Sequence, residues 1–329
     1  MDISSRRTAS PFSTALASFP GTITAVTPGA SSYFTAPTSG LDPSLFDARE
    51  NMHPKVQHWF ITTLFGEMAR KGFRGMDTWL RLWLAGSGAS YQWSAARDPG
   101  DLDILLGVDY VTFRQAHVEY TGISDREISD DINSLLQEQL WKQTANHRLG
   151  QGTYEVTWYV NPGSTDIRAI NPYAAFDIRR NEFTVRPIVL PATGPGAWFS
   201  KAYAEAAERD LEKTHQIVAR YHQAAVASVG DGPAWMNAST LLVQAGKDAV
   251  ALFDEIHQGR HKAFEQDGEG YRDFANYRWQ RGKQLGSVPA LRAIKDAVNE
   301  ARKDAQHVLY GQELKTSEKA ITAAALGRV

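Results

Sequence analysis

The sequence predicts an α+β protein in which a half of mixed strands and helices precedes a half made of helices alone. Three observations lead there. Two β-rich runs, at residues 78–85 and 101–108, flank a Gly/Ser turn. An alternating Tyr-Val-Trp-Val pattern follows at 153–160, and beyond Trp198 only helical periods remain.

Residues 1–40 are rich in Ser, Thr, Pro, Ala and Gly and show no helical period. They predict a disordered or loosely draped leader. Arg6 and Arg7 suggest a transit peptide only faintly, because Asp2 and the lack of a basic amphipathic helix oppose it. Over 54–70, Val56, Phe60, Leu64 and Met68 form one apolar stripe, predicting a helix ended by Gly72. In the first strand, Trp79, Arg81 and Trp83 are expected on one face, and the run stops at Gly86-Ser87-Gly88-Ala89-Ser90. The second strand carries Ile104, Leu105, Leu106 and Val108. A helix over 124–146 turns Ile128, Ile132, Leu135, Leu136 and Leu140 inward. A third strand covers 153–160, a fourth 166–170, and a fifth 176–185 with a turn at Arg180-Asn181.

The Pro/Gly-rich stretch 187–196 marks a change of character, after which helices are expected over 201–229, 234–258 and 288–310. The domain plan is thus a leader (1–40), a catalytic domain (41–190), a helical domain (191–311) and a polar tail (312–329). Trp79, Trp83, Trp93, Trp158 and Trp198 are expected in the core, with Trp93 also placed to wall a pocket.

Composition removes several function classes. A hydrophobic fraction of 43% and a charged fraction of 22% are ordinary for a globular protein. No apolar run approaches the roughly 18 residues of a membrane-spanning helix, so no membrane partner is expected. With zero cysteines among 329 residues, disulfides, thiolate catalysis and cysteine-held zinc are excluded. This composition fits a cytoplasmic location. The net charge of −2 offers no global field for nucleic acid and leaves recognition to local patches.

One constellation carries chemistry. Asp101 and Asp103 stand at i and i+2 of the second strand, so both project from one face while Leu102 and Ile104 enter the core. Two carboxylates this close repel unless a cation lies between them. Mg²⁺ suits their hard oxygens and shares its shell with phosphates, with Mn²⁺ as the alternative. The turn ahead of the strand supplies the other half: backbone N–H groups and hydroxyls near Gly86, Ser87, Gly88 and Ser90 can approach triphosphate oxygens.

The stretch Leu84-Ala85-Gly86-Ser87, thirteen further residues, then Asp101-Leu102-Asp103-Ile104 resembles the signature of the DNA polymerase β-like nucleotidyltransferase superfamily. The resemblance covers residues 80–178. Many relatives carry a second glycine where Tyr91 or Gln92 stands here, and a serine where Gly100 stands. The resemblance implies a mixed-sheet core, a nucleoside triphosphate donor, metal held by Asp101 and Asp103, and pyrophosphate release. It also implies a third carboxylate on a later strand, for which Glu155, Asp166 and Asp177 are candidates. Asp166 is the first choice because Asn171-Pro172-Tyr173 follows it. The nucleotide contacts implied are Gly86, Ser87, Gly88, Ser90 and Trp93. An RNA 3′ end is the favoured acceptor. The alternatives are synthesis of a cyclic or short oligonucleotide signal, and a non-catalytic nucleotide- or RNA-binding role.

Two further clusters lie in the helical half. His257 and His261 stand at the i, i+4 spacing of zinc ligands, but Gln258 replaces the general-base Glu of helical zinc proteases. A polar face whose Arg260 and Lys262 meet phosphates is the favoured reading. Residues 273–281 mix Phe274, Tyr277 and Trp279 with Arg278 and Arg281, as base-stacking segments do. A core helix with solvated arginines explains the same pattern and is preferred. Asp98 and Asp109 are expected to be solvated loop charges.

Overall fold

The computed structural model describes residues 12, 16, 26–29, 31–93, 99–162, 165–228 and 233–311. They fall into two compact units. Of the described residues, one unit, the sheet unit, is built from those in Ser32–Trp198 and Ala263–Arg272; the other, the helical unit, is built from those in Phe199–Lys262 and 273–311, with the few described residues up to Ser31. Asp98 and the polar tail from 312 onward lie outside the described residues.

The sheet unit is organised on six strands: β1 (Leu80–Ala85), β2 (Gly100–Val108), β3 (His147–Leu149), β4 (Gly152–Val160), β5 (Ala175–Asp177) and β6 (Glu182–Val185). Their spatial order is β3-β4-β2-β1-β5-β6. Every pair is antiparallel except β2 and β4. A parallel pair cannot be closed by a hairpin. Helices fill the crossover: α2 (Tyr110–Ala116) and α3 (Asp125–Leu136) lie between β2 and β4 in the chain. Asp109 starts α2 as its N-cap, accepting from the Val111 and Thr112 backbone, so it is a capping residue rather than a loose loop charge. Ser124 and Glu127 form a reciprocal capping box on α3. The expected helix over 124–146 runs on from α3 through a π-turn, Gln137–Trp141, and ends in the short Lys142–Thr144 helix.

Strand alternation divides the sheet into two faces. Leu82, Leu84, Leu102, Ile104, Leu106, Val156 and Trp158 enter the main core, where the stripe Val56, Phe60, Leu64 and Met68 of α1 (Pro54–Arg70) and Ile128 and Ile132 of α3 meet them. The other face bears a smaller apolar patch of Trp83, Ala85, Leu105, Ile167 and Ala175. Trp79, Trp83 and Trp158 are buried, whereas Trp93 and Trp198 are half-buried.

Three further expectations require correction. Trp79 ends a single helical turn (Met76–Trp79) rather than opening β1, so it does not share the face of Arg81 and Trp83. The expected strand at 166–170 is a 3₁₀ helix, Ile167–Ile170, because Asp166 caps it and Asn171 ends it at φ +42°. The turn expected at Arg180-Asn181 is present, with Asn181 at φ +59°, and it divides 176–185 into the separate strands β5 and β6. The leader also does not extend to residue 40. Ser32–Phe34 is a 3₁₀ turn with Tyr33 buried, and Gln92 Nε2 donates to the Tyr33 and Thr35 carbonyls at 2.9 and 3.1 Å.

The helical unit contains α4 (Lys201–Ala227), α5 (Pro233–Ala263), α6 (Phe274–Leu285) and α7 (Ser287–Tyr310). Its core joins Ile217 and Tyr221 of α4, Leu242 and Phe253 of α5, Trp279 of α6, and Leu291 and Ile294 of α7. Tyr277 and Trp279 are buried, and Arg278 donates to both Asp210 and Glu255. The 273–281 segment is therefore the core helix rather than a set of rings open to bases. Among the described residues, no helix is long and apolar enough to cross a membrane.

Candidate functional site

The Gly/Ser turn and the acidic strand lie against each other because two glycines permit it. Gly86 adopts φ +69°, and a Cβ there would stand 3.1 Å from Asp103 Oδ2. The left-handed backbone alone disfavours any side chain at this position. A Cβ on Gly88 would meet Leu102 Cδ2 at 2.6 Å, which means β2 passes directly under the turn. The turn itself is a 3₁₀ helix, Gly86–Ala89, anchored by Gly86 N–H donating to the Ala174 carbonyl at 3.3 Å.

Asp101 and Asp103 are half-buried and share the face opposite the main core. Asp103 pairs with Ala85 on one side and Thr157 on the other. Thr157 Oγ1 donates to Asp103 Oδ1 at 3.0 Å, which fixes one carboxylate oxygen on the sheet. Asp101 pairs in parallel register with Glu155, an exposed residue on the same face. Glu155 is the candidate third acid that the sheet brings beside the pair.

Asp166 is not. Because β4 runs parallel to β2, the loop after β4 emerges at the far end of β2 from Asp101. There Asp166 accepts from Arg168 Nε at 3.0 Å and Nη2 at 2.7 Å, and Arg81 stands 4.0 Å away. The Arg168 guanidinium holds its carboxyl down at about 2. Arg81 precedes Ala85, the strand partner of Asp103, by four residues, roughly 13 Å along β1. Asp177 is likewise spent on structure: its Oδ1 accepts from the Arg179 and Arg180 backbone, both at 3.0 Å, in the turn before β6.

A small cavity of about 20 Å³ collects Ser87, Gly88, Trp93 and Asp101 with Ser32, Asp42, Gly100, Leu102 and Tyr154. It has room for a water and is far smaller than the roughly 300 Å³ and upward of ligand pockets. Trp93 Nε1 donates to the Gly40 carbonyl at 2.9 Å. Gly40 itself lines a depression of about 670 Å³, together with Phe46, Glu50, Tyr91 and Leu190. Ser90 is not a candidate contact. It is fully buried, its Oγ donates to the Ser87 carbonyl at 2.9 Å, and it accepts from Gln92 N–H at 3.1 Å.

Asp42 and Tyr154 belong to the cavity without having been expected there. Tyr154 Oη donates to Asp42 Oδ2 at 2.7 Å, and burial together with that acid pushes the phenol up. Asp42 sits just past the expected leader, in a segment with no periodicity to place it. Thr157 had a usable signal: it stands two residues after Glu155 on an alternating strand and so shares its face.

Two half-buried carboxylates on one face, beside a hydroxyl-bearing turn, form a donor set of hard oxygens suited to Mg²⁺ with its remaining positions filled by phosphate and water. Among the described residues, no group of three or more His, Asp or Glu side chains is gathered closely enough to hold a metal by itself. Comparison of the chain with protein-family models, curated proteins and solved structures finds no match.

Proposed function

We propose that the sheet unit is a polymerase β-like core that moves a nucleoside monophosphate from a nucleoside triphosphate to a hydroxyl acceptor, an RNA 3′ end being favoured. One observation carries the proposal: the Gly86 turn closes on Asp103 Oδ2 while Ser87 and Asp101 line one cavity. That juxtaposition joins a phosphate-accepting turn to a pair of acids, which is what the sequence resemblance implies.

Asp101 and Asp103 would hold Mg²⁺, which when bound neutralises phosphate charge and lowers the pKa of a coordinated hydroxyl. Ser87 and the backbone of Gly88 receive the phosphate oxygens. Thr157, by holding Asp103 Oδ1, orients the second carboxylate. Glu155, in register with Asp101, accepts the proton of the acceptor hydroxyl. The acceptor oxygen bonds to the α-phosphorus as the bond to the β-phosphate bridge breaks, and pyrophosphate leaves. Positioning and charge neutralisation account for the rate, as in other phosphoryl transfers.

The test is incubation of the purified chain with α-labelled triphosphates and Mg²⁺, with and without a single-stranded RNA. Label on the RNA together with released pyrophosphate is the expected outcome. A low-molecular-weight product without RNA would identify a cyclic or short oligonucleotide synthase. Intact triphosphate under all conditions would overturn the catalytic proposal and leave binding alone.

A further inference from the structure

We infer that the helical unit carries a phosphate-binding site of its own, where Arg260 of α5 and Arg292 and Lys295 of α7 converge over the rings of Phe253 and Trp279. The two rings lie 6.0 Å apart between centroids. Arg260 stands 5.3 Å from the Trp279 centroid, Lys295 Nζ 4.7 Å from that of Phe253, and Arg292 within 5.8 and 5.9 Å of the two. His257 joins the cluster 5.1 Å from Trp279, and His261 Nε2 lies 3.3 Å from His257 Nε2. Residues far apart in the chain are thus gathered into one positive patch.

The charge balance argues for an anion. Asp254 offsets Lys295 at 2.6 Å, while neighbouring Glu255 is engaged by Arg278 at 2.7 Å. Among the described residues, Arg292 makes its contacts with rings rather than with a carboxylate. Cation–ring attraction holds such heads in place but removes no charge. Burial and the charges of His261, Arg260, Lys295 and Arg292 together push His257 down to about 4. A divalent metal on the histidine pair would add to that positive field, whereas a phosphate would relieve it. Arginine matches phosphate with parallel N–H donors. The rings themselves are buried and cannot stack on bases, so the ligand is read by its phosphates. Those phosphates belong either to a nucleoside polyphosphate or to a polynucleotide chain. The inference does not depend on nucleotidyl transfer by the sheet unit.

The test uses the full chain and the His257 ring resonance, assigned by its loss in His257→Gln. Tripolyphosphate and a single-stranded oligonucleotide without a terminal triphosphate are added separately. Either ligand, if bound, is expected to raise the His257 titration midpoint by about one pH unit or more. A response to tripolyphosphate only assigns the site to nucleoside polyphosphates; a response to the oligonucleotide assigns it to polynucleotides. Arg260→Gln with Arg292→Gln is expected to weaken that binding about tenfold or more. A His257 midpoint unmoved by both ligands at millimolar concentration overturns the inference. So does undiminished binding by the doubly substituted protein with unchanged helical circular dichroism.

Discussion

Asp103 is held by two opposite devices: a hydroxyl that donates to one carboxylate oxygen and a glycine that leaves room for the other. Asparagine preserves the size and still accepts from Thr157, but it loses the charge. If Asp103 holds the metal as proposed, Asp103→Asn is expected to lower the proposed nucleotidyl transfer by more than roughly 100-fold, since even outer partners of metal ligands cost 10–100-fold. Its unfolding midpoint should stay level or rise, because a neighbouring carboxylate repulsion is removed; transfer assays beside thermal melts check both halves. Gly86→Ala tests the other device. A left-handed backbone disfavours alanine by about 1–2 kcal/mol, and the new methyl also crowds Oδ2. Urea unfolding should show that loss, accompanied by reduced transfer. The aspartate pair and its turn were legible in the sequence because period-two alternation puts them on one face. The choice among the candidate third acids was not, because the proline that drew attention to Asp166 says nothing about which end of the sheet its loop reaches. Only the parallel register of β4 decides that, and it favours Glu155.

Among the elements, the helices with strong apolar stripes were the most legible: α1 runs over the expected residues, and its four stripe residues are buried. Short segments fared worse. A strand is expected over 166–170, but an aspartate cap and a left-handed asparagine dictate one 3₁₀ turn. β3 has three residues, too few for any period. On α5, the depressed His257 gives a measurable consequence. Burial and the cationic neighbours around it hold the ring down at about 4, below the 6.5 of a free imidazole. Between those limits the unfolded chain binds the extra proton, so stability is full above pH 6.5 and falls as pH drops toward 4. His257→Gln is expected to flatten this slope, as followed by urea unfolding of the full chain at a series of pH values.

At the scale of the whole molecule, the two-part plan followed from the change in composition near residue 190, but its boundaries did not. The sheet unit begins at Ser32 and takes back Ala263–Arg272 from the helical stretch. No periodicity announces that return, because the segment is held by specific contacts. Tyr271 stacks on Tyr173 with centroids 3.8 Å apart and accepts at its carbonyl from Tyr33 Oη at 2.9 Å. Asn171 Nδ2 donates to the Glu265 carbonyl at 2.8 Å. Removing a large aromatic from such a position costs about 3–5 kcal/mol. Tyr271→Ala is accordingly expected to lower the unfolding midpoint of the sheet unit, read by tryptophan fluorescence, although the substitution lies outside residues 32–198. The same return means that the sheet is not a severable segment of chain. A protease cut anywhere in α4 or α5 would part it covalently from a piece of its own packing, and a gene fragment ended at Trp198 would lack that piece from the start. Whatever chemistry the sheet performs, its packing is complete only after the ribosome has delivered residue 271.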